Sequence, residues 1–159
     1  MPDGSLDPRF IDYVATLVRH EKERNKQIED EIAAAGWVGW PVFLTMVFFE
    51  AVDRKLGPEP ADAAIVRFVA DVRAEFPEMD IDATVAERMI RSVFDPRIAW
   101  ATDPAMRARL QLSASYVALR GGGYSDEELT RLLEEAWRAA AQARAEEEGA
   151  QDAGSTADS

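Results

Sequence analysis

The chain has 159 residues, 47% of them hydrophobic, with 30 acidic against 18 basic side chains and a formal net charge of −12. That length suits one core burying roughly 68–70% of the unfolded surface, and that charge repels phosphate backbones and anionic lipid surfaces, so nucleic acid is excluded as a partner and a membrane is disfavoured. The absence of cysteine excludes disulfides, thiolate metal sites and cysteine nucleophiles together.

At the N-terminus, MPDGSLDPRF has neither a basic n-region nor an apolar h-region, so no cleavable leader is expected and the cytoplasm is the default location. Asp7-Pro8 predicts the first helix start: an acceptor side chain precedes a proline whose fixed φ and missing N–H suit a first helical position. Asp95-Pro96 and Asp103-Pro104 repeat the signal. The first helix is expected over 8–35, where three- and four-residue steps place Ile11, Val14, Val18, Glu21, Asn25, Ile28, Ile32 and Ala35 on one seam. Such a helix is about 42 Å long and would project from the domain or run along its surface. Two readings stand for it: a self-association helix through Ile11, Val14, Val18, Asn25 and Ile28, with Asn25 fixing register, or a solvated face over Arg19 to Glu31.

Ile32 to Phe49 follows, eighteen residues without a charge. It meets the length minimum for a membrane span, yet Gly39 and Pro41 interrupt its middle and acids abut both ends. The run therefore splits: one helix stops at Gly36, a turn carries Trp37 and Trp40, and Pro41 opens a helix over 41–56 that is apolar nearly all round, as a fully surrounded central helix would be. Further helices are predicted at 60–75, 82–94, 96–101, 104–120 and 126–147, with Gly57-Pro58, Phe76-Pro77 and Gly121-Gly122-Gly123 as stops and Ser125 with Glu128 as a capping box. No segment alternates with a strand's period of two. The expectation is an all-α fold: a compact bundle of about six helices in one domain over 1–148, with a long N-terminal helix and a disordered tail over 149–159. Gly121 to Ser159 holds ten acids and three arginines, so most of the acidic excess lies on the last helix and tail. That is a solubilising surface unless a basic partner meets it.

A search for chemistry finds little. His20 is the sole histidine, and no metal-ligating spacing surrounds it. Ser113 and Ser115 lie inside a helical pattern and not on a nucleophile elbow. Glu50 and Asp53 form the one acid pair whose apolar setting would raise a pKa, although Arg54 beside them offers a salt-bridged helix end instead. The triple glycine lacks the lysine and hydroxyl of a phosphate loop, and four acids follow in the first turns of the next helix. Between Ala61 and Phe94 a helix-turn-helix would have too long a turn, with only Arg88 and Arg91 to face a groove. No catalytic set, metal or cofactor is expected.

The order helix, Trp37-Val38-Gly39 turn, helix resembles the small secreted helical-hairpin family named for its Trp-x-Gly turn, and Tyr124 to Glu128 has the Tyr-x-x-x-acid spacing. The resemblance covers about fifty residues. The chain departs from the pattern in its length, in its more apolar second helix and in placing Tyr124 before a helix, so no family is assigned. The reading from the residues is a non-catalytic interaction or regulatory module that self-associates through its first helix and meets a protein partner, a second copy included, through Trp37 and Trp40. The alternative is a helical enzyme or small-ligand binder with an apolar pocket near Trp37, Trp40, Phe43 and Glu50; membrane association is the third reading.

Overall fold

A computed structural model describes the backbone of residues 6–155 and the side chains of residues 6–150. Among them are seven α-helices, one 3₁₀ turn and no strand: α1 (Arg9–Val18), α2 (Lys22–Ala35), α3 (Trp40–Leu56), α4 (Asp62–Glu75), α5 (Ala83–Phe94), α6 (Pro104–Arg120) and α7 (Asp126–Ser155), with the 3₁₀ turn at Pro77–Met79. The backbone gathers into two compact units. One holds the residues up to Met46 and those from Glu127, the other Val47–Asp126.

In the first unit the expected helix over 8–35 is two helices. α1 stops in a Schellman motif: the His20 N–H donates to the Leu17 carbonyl at 3.3 Å and the Glu21 N–H to the Thr16 carbonyl at 3.0 Å, with His20 at φ 60°. Glycine usually holds that left-handed position, and histidine is among the few side chains enriched there. The physical reason for the bend lies in the polar middle of the segment. Nothing from Arg19 to Lys26 has an apolar side chain to bury, whereas Phe10, Val14 and Val18 before it and Ile28 and Ile32 after it do. Folding α2 back against α1 lets both apolar ends share one core. Asn25 fastens the pair, its Nδ2 donating to the Tyr13 carbonyl at 2.8 Å and to Thr16 Oγ1 at 3.0 Å, while the Thr16 hydroxyl donates to the Asp12 carbonyl at 2.7 Å. From α7, Leu129, Leu132, Leu133, Ala136 and Ala140 are buried. Trp137 Nε1 donates to the Asp7 carbonyl at 3.2 Å, and Arg19 Nη2 donates to Thr130 Oγ1 at 3.3 Å.

α3 buries Phe43, Leu44, Val47, Phe48, Ala51 and Val52, but Phe49 is 39% exposed and Asp53 to Lys55 are exposed, so the helix has an outer face and is not surrounded as expected. In the second unit α4 packs against α5 and α6. Two aspartates cap: Asp82 Oδ1 accepts from the Val85 N–H at 3.0 Å and Asp103 Oδ1 from the Met106 N–H at 2.8 Å. The helix expected at 96–101 does not form. Asp95-Pro96 makes a turn instead, closed by the Ile98 N–H on the Asp95 carbonyl at 3.1 Å, with the Asp95 carboxylate accepting from the backbone and guanidinium of Arg97 at 3.0–3.1 Å. At the other end of the chain α7 continues to Ser155, beyond the expected end at 147 and through the first residues of the expected tail; residues 156–159 of that tail lie outside the described residues.

Candidate interaction site at the tryptophan turn

Three of the four residues from Gly36 to Gly39 have left-handed backbone: Gly36 at φ 100°, Trp37 at 55° and Gly39 at 85°. The two glycines meet that demand freely; a tryptophan there is strained by about 1–3 kcal/mol and persists only where its surroundings fix it. Here the surroundings are rings. Phe10, fully buried in α1, lies 6.2 Å from Trp37, 5.4 Å from Trp40 and 5.8 Å from Phe43 between ring centroids. One turn further along α1, Tyr13 meets Trp37 and Trp40 edge to face, each at 5.3 Å. The two tryptophans are themselves 5.4 Å apart. Gly39 permits close approach from below: a Cβ at that position would stand 2.5 Å from Leu6 Cδ1 and 2.6 Å from Arg144 Nη1.

The rings divide the turn into an inside and an outside. Phe10 and Phe43 are buried, while Tyr13, Trp37 and Trp40 are half-buried and present their outer edges. Val38, at the apex, is 61% exposed. Burial pushes the Tyr13 phenol above its usual pKa, and the nearby Glu29 carboxylate pushes in the same direction. The turn follows the C-terminal end of α2, whose last turn carries no basic residue.

The residues read from the sequence are distributed as follows. Trp37 and Trp40 are brought together. Val14, Val18 and Ile28 are buried in the unit that holds the α1–α2 pair, Ile11 is half-buried, and both amide hydrogen bonds of Asn25 lie inside that pair, so the continuous seam expected over 8–35 is folded upon itself. The Phe10 ring stands among Trp37, Trp40 and Phe43, and Glu50 is half-buried, with Arg54 Nε 3.6 Å from its Oε2. Phe10 and Tyr13 have one signal in the sequence, a three-residue spacing on α1 that matches that of Trp37 and Trp40. Val38 carried no signal, because exposure at a turn apex is not a property of residue type.

Ser113 and Ser115 are buried on α6, the first donating to Met79 Sδ at 3.1 Å and the second to the Gln111 carbonyl at 2.6 Å. Arg91 pairs with Asp62 at 2.6 Å and Arg88 donates to the Ala99 carbonyl at 3.3 Å. Among the described residues no group of three or more acidic or histidine side chains is placed to hold a metal ion, and no helix is long and apolar enough to cross a membrane. The fold and the turn thus define an all-helical protein with an aromatic cluster at one interhelical turn. No protein-family model, curated protein or solved structure matches the chain.

Proposed function

We propose that the protein is a non-catalytic interaction module whose recognition surface is the Trp37–Trp40 turn, and that its partner is a protein segment presenting an apolar side chain flanked by lysine or arginine. The observation that carries this reading is Val38, 61% exposed between two half-buried tryptophans whose inner edges are fixed by Phe10 and Tyr13. Aromatic anchors already held in place lose little side-chain freedom on binding, which is why tryptophan and tyrosine dominate interface energetics. The charge of the partner follows from the surroundings. The chain carries −12 as a whole, and at the turn the partial negative charge of the α2 end is only partly offset, by Arg9, whose Nη1 donates to the Glu31 carbonyl at 3.4 Å, and by Arg144 beside Gly39. A second copy would bring the same sign of charge to the contact.

Selection from a random peptide library on the whole protein tests the proposal, with Val38→Asp as the counter-target. Val38 is exposed and is not among the left-handed residues, so the aspartate variant should keep its melting temperature within a few degrees. Enriched peptides should share an apolar residue beside lysine or arginine and should bind the variant at least tenfold more weakly. Equal binding to both proteins would overturn the site. Concentration-dependent sedimentation of the wild type that Val38→Asp abolishes would replace the basic partner with a second copy.

A further inference from the structure

We infer that the groove between the end of α3 and the outer face of α4 is a binding site for a small amphipathic monoanion, a carboxylate or sulfonate on a short apolar body. The groove is open to solvent and has a volume of about 370 Å³, at the lower end of the ~300–1,000 Å³ usual for small-ligand sites. Its wall is apolar, made by Leu56 of α3 and by Ala63, Ala64 and Phe68 of α4. Two cations rim it, Lys55 and Arg67, together with one carboxylate, Asp71. All seven residues belong to the second unit.

The two cations of the groove are not spent on ion pairs, a property they share with Lys22, Arg24, Arg109 and Arg131 among the described residues, but here they flank an apolar wall. Arg9, Lys26, Arg54, Arg91, Arg97 and Arg138 all stand in ion pairs. Among the described residues Lys55 and Arg67 stand in none, even though Asp71 lies four residues beyond Arg67, a spacing that brings opposite charges together on a helix. A neighbouring groove of about 290 Å³ makes the contrast: it is lined by Arg91, and Arg91 is already on Asp62. Lys55 is also positioned from outside its own helix. Its Nζ lies 3.8 Å from where a Cβ on Gly121 would stand, at the C-terminal end of α6, where the helix dipole favours a cation.

The count of charges selects the ligand. Two cations against one carboxylate leave one positive charge over an apolar wall, which a monoanion balances, whereas a phosphate or nucleotide would bring surplus negative charge against Asp71. The apolar wall then selects a ligand with a hydrocarbon or aromatic body over a bare inorganic anion.

Octanoate, with octan-1-ol as its uncharged counterpart, tests the site on the whole chain by amide chemical-shift titration. Saturable shifts are expected over residues 55–56 and 63–71, with octan-1-ol binding at least tenfold more weakly, the scale of losing charge-assisted hydrogen bonds. Lys55 and Arg67 are both exposed, so the double variant Lys55→Gln/Arg67→Gln should fold and bind octanoate about tenfold more weakly. Ala64→Phe, at another exposed position, leaves the charges in place and fills the groove; it should abolish the shifts. Absence of saturable shifts in the wild type, shifts confined to other residues, or equal affinity in the double variant would each overturn the inference. None of these results bears on the tryptophan turn.

Discussion

At the scale of single residues, the same three-letter sequence closes the same contact twice. In Asp7-Pro8-Arg9 and Asp95-Pro96-Arg97 the proline places the arginine so that the aspartate accepts from its backbone N–H and from its guanidinium, at 2.9 and 3.0 Å in the first case and 3.1 and 3.0 Å in the second. The guanidinium hydrogen bond is the main reason both carboxyls are held below the usual range. A depressed folded-state pKa contributes stability above the unfolded value of about 4, lost as pH falls through the folded value. Asp7→Asn should therefore unfold at lower denaturant than the wild type at pH 7, and the gap should narrow as pH falls below about 4; a gap of constant size would show that the carboxylate's charge plays no part. Glycine position matters as much as charge. Gly39 and Gly57 both have left-handed backbone, at φ 85° and 82°, but a Cβ at Gly57 meets nothing within 4 Å while one at Gly39 meets Leu6 and Arg144. Gly57→Ala should cost about 1 kcal/mol, from backbone conformation alone. Gly39→Ala should cost about 2–4 kcal/mol, because overpacking adds to it. Equal losses on denaturant titration would refute the close approach at the turn.

At the scale of elements, the helices over 40–56, 62–75, 83–94 and 104–120 form within two residues of where apolar periodicity and punctuation place them, because each carries its own stripe and stop. The first segment shows where that logic runs out. A four-heptad seam and the α1–α2 pair use the same apolar residues, and nothing local distinguishes them, since His20 supplies the left-handed turn without a glycine. Asn25 separates the two arrangements experimentally. If it sat at a buried position of a coiled coil, Asn25→Leu would strengthen association; in the helix pair it removes hydrogen bonds to Tyr13 and Thr16 and should destabilise the fold by about 1–3 kcal/mol, with sedimentation unchanged. The Asp-Pro signal is likewise incomplete. Asp103 caps α6, Asp95 closes a turn, and α5 is capped by Asp82, which no proline follows. An Asx side chain satisfies a turn N–H as readily as a helix N–H, so the outcome rests on whether the next residues have a core to face. Asp82→Ala and Asp103→Ala should each cost about 0.5–2 kcal/mol.

At the scale of the whole molecule, the excess of acids gives any basic partner a long-range attraction that falls with ionic strength. Peptides selected on the tryptophan turn should lose affinity progressively between about 0.05 and 0.5 M salt, as the Debye length shrinks from roughly 14 to 4 Å, and a salt-independent affinity would mean that apolar contact alone supports binding. By itself the sequence determined the helical class, most helix limits and the exclusion of cysteine chemistry. Each of these depends on composition or on neighbours within a few positions. Only the tertiary structure decided that the first helix bends, that Phe10 and Tyr13 hold the tryptophans while Val38 stands outside them, and that Lys55 and Arg67 share one groove. Those outcomes depend on which distant side chains arrive at the same place, and the free energy of burying apolar surface does not record the order in which the chain delivers it.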